Sequence, residues 1–116
     1  MRLIIAGSRS IQLTLEQLNV CIVAHFDLSD ISEIVSGCAR GVDMAGIRWA
    51  TKHGIPIKRF VPDWSQGKAA GHIRNREMGD YADAAIVIYD GKSKGSQGMI
   101  NYMKQKKKIC FVIVKS

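Results

Sequence analysis

Five short runs of apolar, largely β-branched residues constrain this chain more than any other feature: Leu3 to Ala6, Ile31 to Val35, Ile57 to Val61, Ala84 to Tyr89 and Ile109 to Val114. Each has the length of a strand and scarcely alternates with polar residues, the pattern of a strand covered on both faces. Segments of helical length separate the runs. In two of these segments the apolar residues recur at helical spacing, Leu15, Leu18, Ile22 and Phe26 in the first and Val42, Ala45 and Trp49 in the second. Strand alternating with helix predicts an α/β fold, a single Rossmann-like doubly wound parallel sheet of five strands with helices on both faces. Right-handed crossovers and one reversal of winding beside the first strand give the order 3-2-1-4-5. At 116 residues one domain spanning 1–116 is expected. His53 and Gly54, with Pro56 just beyond, read as a helix stop.

Composition removes several classes. Hydrophobic residues make up 47% of the chain and charged residues 23%, which excludes a disordered or low-complexity polymer. No apolar run approaches the roughly 20 residues of a membrane span, so no membrane partner is expected. The start, Met1 to Gly7, lacks the apolar core of a secretory signal, and a cytoplasmic location is expected. Cys21, Cys38 and Cys110 fit neither a disulfide framework nor a zinc spacing, and His25, His53 and His72 show no ligand spacing, so no metal is expected. Neither the Gly-x-Gly-x-x-Gly fingerprint nor a Walker sequence occurs, and no cofactor is expected. The formal net charge of +7 lies entirely in residues 58–116, where twelve basic side chains face five acidic ones. An anionic partner follows.

Three turns at strand ends carry the chemistry for such a partner. They read Gly7-Ser8-Arg9-Ser10, Ser36-Gly37-Cys38-Ala39-Arg40-Gly41-Val42-Asp43, and Asp90-Gly91-Lys92-Ser93-Lys94-Gly95-Ser96-Gln97-Gly98. In a parallel sheet all three lie at the carboxyl edge, where glycine lets the backbone approach a ligand and helix N-termini attract anions. Arg9 and Arg40 suit a phosphate gripped by two parallel hydrogen bonds, and the hydroxyls of Ser8, Ser10, Ser93 and Ser96 add donors. Segment 67–80 adds Lys68, His72, Arg74, Arg76 and Glu77 without a ladder of opposite charges. Lys104, Lys106, Lys107 and Lys108 end the fourth helix, where they suit its C-terminal dipole, and emerge at the opposite edge. Cys38 near a helix N-terminus has no evident base partner, and Trp64 fits either a stacking residue or a cover for the sheet edge.

These residues resemble a known superfamily. Ser36 to Asp43 and Gly7-Ser8-Arg9 are similar to motifs of DNA-processing protein A. Arg74 to Met78, Ala82-Asp83-Ala84 and Gly95-Ser96 are similar to motifs of the LOG cytokinin-activating phosphoribohydrolases. Both belong to the SLOG superfamily. The full set, with Asp63-Trp64 and Ala69-Ala70-Gly71, looks most like its YspA-related branch of small bacterial and phage proteins. The resemblance implies a nucleotide or nucleotide-derived ligand, with Arg74 on the arginine that holds substrate and Gly95-Ser96 on the phosphate-binding Gly-Thr. It also implies pairing into a homodimer or higher homo-oligomer. Where the phosphoribohydrolases carry their catalytic glutamate this chain has Met99, leaving Glu77, and Asp43 or Asp90 from another loop, as candidate carboxylates beside Arg74.

Two functions follow. The first is a protein binding a phosphate-bearing small molecule at Gly7, Ser8, Arg9, Gly37, Cys38, Ala39, Arg40, Gly41, Gly95, Ser96, Gln97 and Gly98, with N-glycosidic hydrolysis as the chemistry if there is any. The alternative is a nucleic-acid-binding module, favoured by the +7 charge but poor in aromatics for base stacking.

Overall fold

The structure, a computed structural model, describes residues 1–115. The strands are β1 (Arg2–Gly7), β2 (Glu33–Ser36), β3 (Ile57–Arg59), β4 (Ala84–Tyr89) and β5 (Ile109–Val114). The helices are α1 (Leu15–Val23), α2 (Val42–Lys52), α3 (Ala70–Tyr81) and α4 (Lys94–Gln105), with 3-10 turns at Leu28–Asp30 and Trp64–Ala69. All strand pairs are parallel and the order is β3-β2-β1-β4-β5, as the sequence predicts.

Successive side chains of a strand point to opposite faces, so an apolar run feeds two cores. Leu3, Ile5, Ile34 and Ile86 pack with Leu18, Ile22, Ala45 and Trp49 of α1 and α2. Ile4, Ala6, Val35 and Val87 pack with Met78, Met99, Ile100 and Met103 of α3 and α4. Four helices thus cover both faces, two to each.

Local signals set the helix ends. Thr14 and Gln17 form a reciprocal capping box at α1, with bonds of 3.0 and 3.1 Å. At the end of α2, Gly54 adopts φ 66° and the Ile55 N–H donates to the Ala50 carbonyl at 2.9 Å, the closing bond of a Schellman motif. The helix stop at His53-Gly54 is therefore built as the sequence suggests.

Three expectations shift. β2 begins at Glu33 because the Ile31 N–H closes the preceding 3-10 turn on the Leu28 carbonyl at 3.2 Å. β3 ends at Arg59 because its partner β2 ends at Ser36, whose carbonyl accepts the last bond, from the Phe60 N–H at 2.9 Å; Pro62 beyond has no N–H to offer a ladder. Lys108 does not serve the dipole of its own helix. Its Nζ donates to the carbonyls of Gly79, Asp80 and Ala82 at 2.7, 3.1 and 2.7 Å, satisfying the end of α3. Lys106 lies 3.7 Å from Asp80. The lysine run is thus partly consumed by the fold, at the amino edge of the sheet. Among the described residues no helix is long and apolar enough to cross a membrane.

Candidate functional site at the carboxyl edge

Because β1, β2 and β4 are parallel, the turns after Gly7, Ser36 and Tyr89 emerge side by side. Hydrogen bonds knit them. The Ser8 N–H donates to the Ile88 carbonyl at 3.1 Å, and the Ser8 hydroxyl accepts from the Asp90 N–H at 3.0 Å, joining the first turn to the third. Asp90 accepts from the N–H groups of Lys92 and Ser93 at 2.8 and 2.9 Å, which hold its carboxyl below the usual range. Ser93 then caps α4 by accepting from the Ser96 N–H at 3.3 Å.

The second turn is folded on itself. The Ser36 hydroxyl accepts from the Cys38 N–H at 3.1 Å, and Cys38 takes φ 62°. Gly41, at φ 79°, lies against the first turn, where a Cβ would stand 2.7 Å from the Arg9 carbonyl oxygen. Asp43, in the first turn of α2, accepts from the Ala39 N–H at 3.2 Å and is 5% exposed.

From α3, Arg74 reaches across. Its Nη1 donates to the Gly37 carbonyl at 2.7 Å and its Nε to Asn75 Oδ1 at 3.0 Å, while Asn75 Nδ2 donates to the Gly95 carbonyl at 3.1 Å. Gly37 has no side chain because Arg74 fills its space; a Cβ there would meet Arg74 Nη1 at 2.7 Å and Asp43 Oδ2 at 3.0 Å.

These elements enclose a cavity of about 600 Å³. Gly7, Ser8, Arg9 and Ser10 form one wall, and Ala39, Arg40 and Asp43 a second. Arg74, Asn75, Ser93, Gly95 and Ser96 form the third, over an apolar base that includes Met78 and Met99. Burial is the main cause that pushes the Asp43 carboxyl up to about 6; the Ala39 N–H and the nearby Arg74 and Arg9 offset part of it. Burial also lowers Arg74, against the pull of Asp43. Arg9 and Arg40 are exposed, and neither forms an ion pair among the described residues.

A family model described as YAcAr, the YspA, cpYpsA-related SLOG family, matches residues 1–67. The chain belongs to this family. The match spans β1, the Gly-Ser-Arg turn and the whole second turn with Asp43, and it ends just before α3. No curated protein and no solved structure gives a significant match.

The third wall of this YAcAr protein lies beyond the matched residues. There Met99 is 1% exposed and packed among apolar side chains, and it offers no group able to move a proton. Asp43 and Asp90 are the carboxylates on the cavity wall. Glu77 is not on it: it is exposed on α3, two residues beyond Asn75 and so about 200° around the helix. Gln97 accepts from the Tyr89 hydroxyl at 2.9 Å and donates to Asn101 at 2.9 Å, and Gly98 faces His72 on the outer side of α4. Gly37, Cys38 and Gly41 stand behind the wall and shape it. Trp64 is 62% exposed and outside the lining.

Gln12 and Asn75 line the cavity although the sequence gives neither a role. Asn75 stands inside the Arg-Asn-Arg-Glu stretch and was within reach of the sequence; Gln12, in an irregular segment, carries no local signal.

Proposed function

We propose that the cavity binds a nucleotide or nucleotide derivative through its phosphate. One observation carries this: three strand-to-helix turns and α3 converge on a single hollow edged by Arg9 and Arg40, two exposed cations that form no ion pair among the described residues. The volume lies within the range of small-molecule sites. The Ser8 and Ser96 hydroxyls and the start of α4 supply neutral donors, as phosphate sites at helix N-termini do. Asp43, buried and already accepting one N–H, suits a sugar hydroxyl as its second donor. Binding rather than hydrolysis is the function this supports best. N-glycosidic cleavage would fall to Asp43 as the proton-carrying group, since Met99 supplies none, Glu77 faces elsewhere, and the Lys92 and Ser93 N–H groups favour the ionised form of Asp90.

A thermal-shift panel of nucleoside mono-, di- and cyclic phosphates tests the reading. A ligand at about 100 times its Kd adds about 2.7 kcal/mol, a rise of roughly 10 °C for a chain of this size. The rise should shrink in Arg9→Ala and Arg40→Ala, whose side chains are exposed and outside the core. A flat response across the panel, with single-stranded DNA raising the melting point instead, would favour the nucleic-acid reading.

A further inference from the structure

A second cavity, of about 570 Å³, lies between α3 and α4 on the outer side of the site. Asn75 lines both cavities, so the two adjoin at this side chain. His72 and Arg76 stand four residues apart on α3, and Asn101 and Gln105 four apart on α4, so each pair shares one helix face. Gly98 lies between these pairs, its Cβ position 3.9 Å from His72 Nδ1.

The polar atoms of this groove are mostly donors. Asn101 Oδ1 is already occupied by Gln97 Nε2 at 2.9 Å, which leaves the Asn101 amide nitrogen as its free end. The Tyr102 hydroxyl is committed to Asp80 at 2.6 Å. Arg76 is exposed and forms no ion pair among the described residues, and no aspartate or glutamate lines the groove. Asp80, at the edge of the groove, is taken up by Tyr102 and by Lys106 at 3.7 Å. A guanidinium with neighbouring amide and imidazole nitrogens matches a phosphate.

We infer that this groove is a second phosphate subsite, so that the ligand carries two phosphates: one among the three turns, the other between α3 and α4 beside Arg76. The inference rests on the nucleotide reading of the first cavity and adds the class of ligand. The second phosphate belongs either to a nucleoside diphosphate or to a second nucleotide joined through a phosphodiester.

Calorimetric titration with AMP, ADP and the linear dinucleotide pApA decides among these. ADP or pApA should bind about tenfold or more tightly than AMP, the gain of one added charge-assisted contact. Arg76→Ala, and independently Gln105→Glu, should erase most of that advantage while changing AMP binding far less. A preference confined to ADP identifies the diphosphate, and one confined to pApA the phosphodiester. Equal affinity for all three probes, or an advantage untouched by both variants, overturns the second subsite and leaves the first standing. If none of the three binds, the nucleotide reading fails and this inference falls with it.

Discussion

Gly41→Ala should unfold at a melting temperature about 15 °C below the parent, a loss of about 3 kcal/mol. Two costs add at this position. The backbone there has φ 79° and ψ −127°, a region that side-chain-bearing residues avoid. The added Cβ would also run into the carbonyl oxygens of Ser8 and Arg9, and these are backbone atoms that cannot rotate away. The second turn must then part from the first, which moves Arg40 and Asp43 relative to Arg9. Nucleotide-induced stabilisation should fall along with stability. Gly54→Ala is the internal control. It has the same sign of φ, 66°, but nothing lies within 4 Å of its Cβ, so only the conformational cost of about 1 kcal/mol remains. Equal losses in the two variants would show that the turns are not in contact as described.

The second large effect is a pH dependence that resides in Asp43. Its carboxyl moves from 3.8 to about 6 on folding, so the folded chain holds the proton more tightly than the unfolded chain. The stability this contributes is fully present below the unfolded value and is lost as pH rises through about 6, amounting to about 3 kcal/mol by neutrality. Asp90, Asp63, Asp27 and Asp80 are shifted downward, so their contributions run in the opposite direction, toward loss in acid. A difference measurement cancels them. The unfolding free energy of the parent minus that of Asp43→Asn should fall by about 2 kcal/mol between about pH 4 and pH 7.5 in urea titrations, most of the full change. Two parallel curves would remove Asp43 from its buried position. A bound sugar hydroxyl that donates to the ionised carboxylate would lower its proton affinity, so saturating nucleotide should flatten the slope.

The sheet was readable in the sequence because burial on both faces leaves a plain mark: Ile4 and Ile5, or Val87 and Ile88, are apolar neighbours that go to opposite cores. Strand order followed from connection rules. Strand limits were less legible, because Ile31 is as buried as a strand residue, at 7% exposed, yet its N–H closes a turn. The turns around the cavity could be found from glycine and arginine at strand ends. Which of their residues face the hollow could not, because that depends on contacts far apart in sequence. Arg74 fills the space over Gly37, Gln97 is taken by Tyr89, and Lys108 is drawn to the end of α3. Glu77 shows the limit of spacing alone. It stands three residues from Arg74, close enough in sequence to suggest a shared site, yet it stays outside the lining while Met78, one residue further, is part of it.

One electropositive hollow at the carboxyl edge should receive the phosphate-bearing ligand. Titrating isotope-labelled protein with AMP and following each backbone amide by NMR tests it most directly. Saturable shifts should appear at Ser8 to Ser10, Ala39 to Arg40 and Gly95 to Ser96, with Lys104 to Lys108 unmoved. Shifts centred on that lysine edge, or an unchanged spectrum at millimolar AMP, would contradict it.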